Sequence, residues 1–135
     1  MPKPNPPLLE YNKKNLRSVS KSIERNLTPD LLPKKWIEIN ANNKMFGHCH
    51  NASGCLYKIF GSQNLHLYRA LDRQGVWHWW VQDKNDLVID LTRSQYSETA
   101  VRRLHRRGEK AGLLGFHYKK NVMTVLNRVR KDLKF

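Results

Sequence analysis

Acidic residues are scarce in this chain. Eleven Asp and Glu stand against 25 Lys and Arg, which leaves a formal charge of +14 on 135 residues. A field of that size attracts polyanions such as nucleic acid or an acidic protein, an anionic membrane surface, or an anionic substrate, and by itself it fixes no site. Cysteine is scarce too. Two Cys among 135 residues are not a disulfide framework, and Cys49 and Cys55 are spaced so that a helix would hold them off a shared face. No apolar run approaches the ~18 residues of a membrane span, which argues against a membrane partner. The opening Met1-Pro2-Lys3-Pro4-Asn5-Pro6-Pro7 lacks the apolar core of a secretory signal. A cytoplasmic location is therefore expected, the host cytoplasm if the chain is phage-encoded. No zinc-finger, RNP or glycine-rich phosphate pattern accompanies the basic residues, and there is no internal repeat.

What is present argues for one folded domain. The chain is 39% apolar and carries four Trp, five Tyr and four Phe, well outside disordered composition. Residues 1–7 read as a flexible Pro-rich basic arm, and 8–135 as a single α+β domain with a basic helical part from about 97 to 135. Leu16, Val19, Ile23 and Leu27 recur at helical spacing and predict a helix over about 10–27. Thr28-Pro29-Asp30 ends it and starts a short turn. Trp36-Ile37-Glu38-Ile39 is apolar and of either type, and Asn40 to Lys44 reads as a loop. Ala52, Cys55, Leu56, Ile59 and Phe60 form a helical stripe over about 50–60, stopped by Gly61. Leu65 to Leu71, Gly75 to Gln82 and Leu87 to Leu91 read as three strands, with Asp83 to Asp86 as the turn between the last two. From Ser97 onward the pattern is helical, broken at Gly108 and Gly112. Val122, Val125, Leu126, Val129 and Leu133 line a final helix.

Three residues stand out by position. Cys49 lies in Gly47-His48-Cys49-His50, at the start of a helix. His78 lies in the aromatic strand Trp77-His78-Trp79-Trp80. Asp90 ends the next strand and opens Asp90-Leu91-Thr92-Arg93-Ser94-Gln95-Tyr96. A thiol with a pKa near ~8.5 needs help to act as a nucleophile. A helix N-terminus favours the thiolate, and its free N–H groups can hold an oxyanion. Gly47 would allow close substrate approach. A His must serve as base and a third group must orient it. Alternation along the strand puts Val76, His78, Trp80 and Gln82 on one face. Asp90 shares that face if Gln82 pairs with Asp86, or in a register shifted from that by two, with Asn85 suited to the left-handed turn position. The alternative is a core His, a turn-capping Asp and a buried structural thiol; Cys55, on the apolar stripe, fits the last of these.

Zinc is the competing chemistry. His48, Cys49, His50, Cys55, His66 and His78 are ligand-capable, but structural zinc usually uses two close pairs, and no second pair follows. No cofactor or metal is expected. Arg102, Arg103, Arg106 and Arg107 form one dense basic run, with Lys119 and Lys120 beyond it. Such a run is either a solvated helix face or a nucleic-acid contact.

The segments Gly47-His48-Cys49-His50-Asn51-Ala52-Ser53, His78-Trp79-Trp80 and Val88-Ile89-Asp90-Leu91-Thr92-Arg93-Ser94-Gln95-Tyr96 together resemble a family of small bacterial and bacteriophage proteins. Its pattern is G-x-C near a helix, then H-[WY]-[WYF], then D-[LP]-T-x-x-Q-[FY]. These look like compact members of the papain-like and transglutaminase-like superfamily. The resemblance covers about residues 45–96 and, more loosely, a basic tail with Leu113-Leu114-Gly115-Phe116. It implies a Cys-bearing helix packed on a small antiparallel sheet. It further implies Cys49 as nucleophile, His78 as base and Asp90 as its orienter, with Gln95, Thr92, His48 and Trp80 around them. Family members often have Gly in the turn before the acidic strand, where this chain has Asn85-Asp86. The expected function is a cysteine hydrolase or acyl transferase acting on a peptide, isopeptide, amide or thioester bond. The alternatives are a non-enzymatic nucleic-acid-binding phage protein and a host-directed inhibitor of an acidic protein.

Overall fold

A computed structural model describes residues 6–112 and 116–135, with the side chains of 116–118 left aside. The Pro-rich arm up to Asn5, and Leu113 to Gly115 of the basic tail, lie outside the described residues. Among the described residues the fold is α+β: five α-helices around one antiparallel sheet of four strands.

Helix α1 spans Lys13–Asn26, shorter than the apolar stripe alone predicts. Asn12 sets its start, since its side chain accepts the Asn15 N–H at 2.8 Å. Pro29–Leu31 forms one 3-10 turn. The segment expected as a loop from Asn40 to Lys44 is helical in its first part: α2 runs Lys34–Asn42 behind Pro33, and the loop begins at Asn43. Asn40 is buried and donates from Nδ2 to the carbonyls of Lys44 at 2.9 Å and Phe46 at 3.0 Å. Its amide thereby satisfies carbonyls that leave the helix, and lets the chain turn toward Gly47.

Helix α3 is Cys49–Phe60. Gly61 stops it at φ +83°, with its N–H on the Tyr57 carbonyl at 2.9 Å. Strands β1 (Leu65–Leu71) and β2 (Trp77–Asp83) pair over their full length, Leu65 opposite Asp83 and Leu71 opposite Trp77. Strand β3 is only Val88–Ile89 and pairs Val81↔Ile89 and Gln82↔Val88. That register is the one shifted by two, so Asp90 keeps the same face as His78. The connecting loop is Lys84 to Asp86, and the left-handed residue is Asp86 (φ 62°), not Asn85. Asp83 Oδ1 holds the loop by accepting the Asn85 and Leu87 N–H groups at 2.9 and 3.0 Å.

Helix α4 is Glu98–Arg106, capped by the Ser97 side chain on the Ala100 N–H. A strand that the helical reading of this region missed follows it: β4, Glu109–Ala111, pairs with the free edge of β1. The sheet order is β3-β2-β1-β4. Helix α5 is Phe116–Leu133.

The two faces of the sheet differ. Leu65, Leu67, Trp79 and Val81 join the main core with α1, α3 and α5 through Val19, Ile23, Leu56, Ile59, Val125 and Val129. Ala70 and Trp80, on the other face, pack with Leu104 of α4. Gly108 is fixed by that second cluster, because a Cβ there would lie 2.4 Å from the Trp80 ring.

Candidate active site

The site forms where β3 stops short. The β2–β3 ladder ends at Val81↔Ile89, which leaves the Trp77–His78 end of β2 to be met by the start of α3. The Cys49 thiol donates to the Trp77 carbonyl at 3.7 Å. Gly47 delivers the chain there at φ +83°, and an added Cβ would come within 2.8 Å of Leu32 and 3.0 Å of Trp36. Glycine is thus required by backbone conformation and by packing under those side chains.

His78 is fully buried. Its Nε2 lies 2.6 Å from Asp90 Oδ2. Cys49 lies near enough to the ring to help raise its pKa, and Gln95 Nε2 lies 3.3 Å from Nδ1. Tyr96 closes the ring edge-on at 4.9 Å between centroids, and its hydroxyl donates to Asp72 at 2.7 Å. Asn43 Nδ2 donates to the Gln95 carbonyl at 3.1 Å, tying the turn before α3 to the segment that carries Gln95.

Asp90 is saturated with partners. Its Oδ1 accepts from the Thr92 N–H at 3.2 Å and the Thr92 hydroxyl at 3.4 Å. Its Oδ2 accepts from His78 and from His105 Nε2 at 2.8 Å. Burial alone would raise this carboxyl, but the hydrogen bonds from His105 and His78 hold it down at about 2. Burial alone would lower His78. The hydrogen bond with Asp90, together with the nearby Cys49, outweighs that and raises it to about 9. The ring therefore carries a proton at neutral pH, with the carboxylate on one side and the thiol on the other.

The residues proposed around the site divide. Thr92 holds Asp90, and Gln95 touches His78. Trp80 stacks at a tilt 5.8 Å from the His78 ring and donates its Nε1–H to Gln82 at 3.0 Å. His48 is different. It precedes α3, is fully buried, and neither ring nitrogen has a hydrogen-bond partner among the described residues. Burial lowers its pKa to about 4, so it is a neutral packing residue and makes no hydrogen bond to the site. His105 was hidden inside an arginine run. Its signal was spacing: Val101, Leu104 and His105 share one helical face, and Leu104 and His105 meet Trp80.

The zinc set is not gathered. Among the described residues the single group of three ligand-capable side chains is His78, Asp90 and His105, within 4.8 Å of one another. Their 2.6 and 2.8 Å contacts are shorter than the ~3.3 Å between two ligands bound tetrahedrally at ~2 Å. They fit shared protons instead. The arginine run is exposed along α4, with Arg102 3.7 Å from Glu98 and Arg107 donating to the Leu71 carbonyl at 2.8 Å. Lys119 and Lys120 are exposed on α5, which packs on the opposite sheet face, so the basic residues form no single patch. Among the described residues no helix is long and apolar enough to cross a membrane.

Fold and site together define a small α+β protein with a buried Cys-His-Asp constellation at a helix start. Residues 16–134 match the family model described as YunG protein, and the chain belongs to that family. Comparison with curated proteins and with solved structures found no match.

Proposed function

We propose that this protein is a papain-like cysteine hydrolase or acyl transferase. The carrying observation is His78, hydrogen-bonded to Asp90 through Nε2 at 2.6 Å at the end of β2 that the Cys49 thiol reaches through the Trp77 carbonyl. In the proposed cycle the Cys49 sulfur attacks a carbonyl carbon as thiolate, and His78 keeps the proton as imidazolium. The negative charge on the carbonyl oxygen is met by N–H groups at the start of α3. When the C–N, C–O or C–S bond breaks, His78 gives its proton to the leaving atom and Cys49 holds the acyl group. Water or an amine, deprotonated by His78, then attacks the acyl-enzyme and frees Cys49. Asp90 stays ionised throughout and orients the ring, and Thr92 and His105 orient Asp90.

Gln95 lies at the Nδ1 edge of the ring, its amide 3.3 Å away, and in this reading it positions the imidazole beside Cys49.

The test is the rate of Cys49 alkylation by iodoacetamide against pH, with site identity read by mass spectrometry. Under this reading Cys49 reacts faster than Cys55 at pH 6, and Asp90→Asn or His78→Ala slows it sharply. A Cys49 that is no faster than Cys55 at pH 6 would end the proposal and leave the basic α4 face, with its exposed arginines, as the better guide to function.

A further inference from the structure

Two cavities meet at the candidate site. The first, about 490 Å³, contains Cys49 and has walls of Leu31, Trp36, Phe46, Trp77 and Trp79. The second, about 850 Å³, has Arg73, Arg103, Arg106 and Arg107 in its wall. Phe46, Gln95 and Tyr96 line both, so the cavities are neighbours across those three side chains. Each is of a size that holds a small ligand.

The charge of the second cavity is unbalanced. Asp72 is the single acidic residue in its wall, and both its oxygens are occupied: Oδ2 by the Tyr96 hydroxyl, Oδ1 by the Gln74 and Val76 N–H groups at 2.9 Å. Arg107 spends a guanidinium N–H on the Leu71 carbonyl. Arg73, Arg103 and Arg106 have no ion pair among the described residues. Guanidinium groups gathered without a carboxylate offer bidentate donors to an anion. The first cavity is lined largely by aromatic and aliphatic side chains, with no Lys or Arg among its wall residues; the nearest cations, Arg69 and Lys35, are stacked on the Trp77 and Trp36 rings at 4.0 and 5.8 Å.

We infer that the substrate is a small amphiphilic anion: an ester, thioester or amide with an apolar arm in the Trp36–Trp77 cleft and a phosphate or carboxylate held by Arg103 and Arg106. The position of its carbonyl beside Cys49 and Gln95 rests on the hydrolase reading above; the two-armed ligand does not.

Equilibrium binding separates the two. The probes are 3-phenylpropyl phosphate, 4-phenylbutyrate, the neutral 3-phenylpropanol and inorganic phosphate, titrated into the full chain by calorimetry, with tryptophan fluorescence as a second signal. At least one anionic probe should bind tenfold or more tighter than the neutral alcohol and than phosphate alone. Arg103→Ala with Arg106→Ala should remove that advantage and leave the alcohol unchanged, and Trp36→Ala should weaken the anionic and neutral aryl probes alike. The ratio of the phosphate to the carboxylate probe decides which anion is preferred. Equal binding of charged and neutral probes, or of phosphate alone and the amphiphile, overturns the inference. So does an oligonucleotide that binds more tightly than any probe and is weakened by the arginine substitutions while the probes are not. If the probes behave as expected and protect Cys49 from iodoacetamide, both readings stand. If they bind as expected but Cys49 is inert to iodoacetamide, the two-armed ligand stands and the hydrolase reading fails. A reactive Cys49 with no discrimination among probes reverses that outcome.

Discussion

His78 and Trp79 are neighbours on β2, and the two faces they occupy obey different rules. On the Trp79 side, β2 meets α1, α3 and α5 through a largely apolar core, where volume and shape decide stability. On the His78 side, Trp80 and Leu104 cover a buried network of His78, Asp90, Thr92 and His105, where every lone pair on the carboxylate has a donor. A packed face tolerates volume-conserving change. A polar network in low dielectric does not, because removing one member strands the others. Cys49 and Cys55 both join the apolar cluster on the Trp79 side, but the first heads α3 and reaches the Trp77 carbonyl, whereas the second is fully buried mid-helix, where burial pushes its thiol pKa up.

The largest expected effect is on turnover. Cys49→Ala should lower any acyl-transfer or hydrolytic rate by about 10⁴-fold or more, while a thermal melt moves little. A melt shifted more than that of Cys55→Ala would place Cys49 among the packing residues.

Next is the network itself. Asp90→Asn removes the charge between two imidazoles and should cost about 3 kcal/mol in a denaturant titration. The pH profile sharpens this. Asp90 is held at about 2, so its contribution is present above its ordinary value near 4 and is lost as pH falls through 2. His78 is raised to about 9, so its contribution is full below about 6.5 and is lost as pH rises through 9. His48 and His50 are lowered to about 4 by burial, and they favour folding above about 6.5 and oppose it as pH falls through 4. The wild-type melting temperature should therefore peak near pH 6.5. Asp90→Asn should flatten the alkaline limb and remove the part of the acid limb between about pH 4 and 2, leaving the part above pH 4 that belongs to the buried histidines. An unchanged alkaline limb in the variant would separate His78's raised pKa from Asp90.

Gly108→Ala tests the seam between the faces. The new methyl would sit 2.4 Å from the Trp80 ring, a side chain fully buried between Tyr68 and His105. Overpacking of this kind costs about 1–3 kcal/mol. The Trp80 ring can yield only toward His105 or His78, so iodoacetamide reactivity of Cys49 should fall with it. A neutral substitution would mean that the α4 side is loosely packed.

The legible part of the sequence was the part governed by short-range periodicity. The stripe Ala52-Cys55-Leu56-Ile59-Phe60 yields α3, and Leu65 to Leu71 yields β1. Asp90's side of the sheet needed only the parity of the hairpin register, which the sequence narrowed to two cases. Three things were not legible. Strand β4 is three residues long and exists because β1 offers it an edge, a long-range cause with no local pattern. Helix α2 hides behind polar Asn residues, whose side chains satisfy the following turn instead of breaking the helix. His105 reads as one more cation in a basic run until α4 is laid on Trp80. The third partner of Asp90 thus comes from tertiary packing that no motif encodes.

The smallest expected effect is at Cys55. It has no exposure and lies among the core residues on the apolar side of α3. Cys55→Ala removes one sulfur and opens a small cavity, which should cost on the order of 1 kcal/mol with catalytic rate and Cys49 labelling unchanged. Cys55→Ser is the sharper form. It keeps the volume nearly constant and adds a hydroxyl on the apolar side, so any loss beyond that of the alanine variant measures the penalty for an unmatched polar group there. At the start of the same helix the exchange runs in reverse: Cys49→Ser keeps a hydrogen-bonding group against the Trp77 carbonyl and should leave the melt intact while turnover is lost. If the two serine variants lose equal stability, the helix start and the middle of α3 differ less than their surroundings imply, and the assignment of one cysteine to packing and the other to chemistry falls with that result.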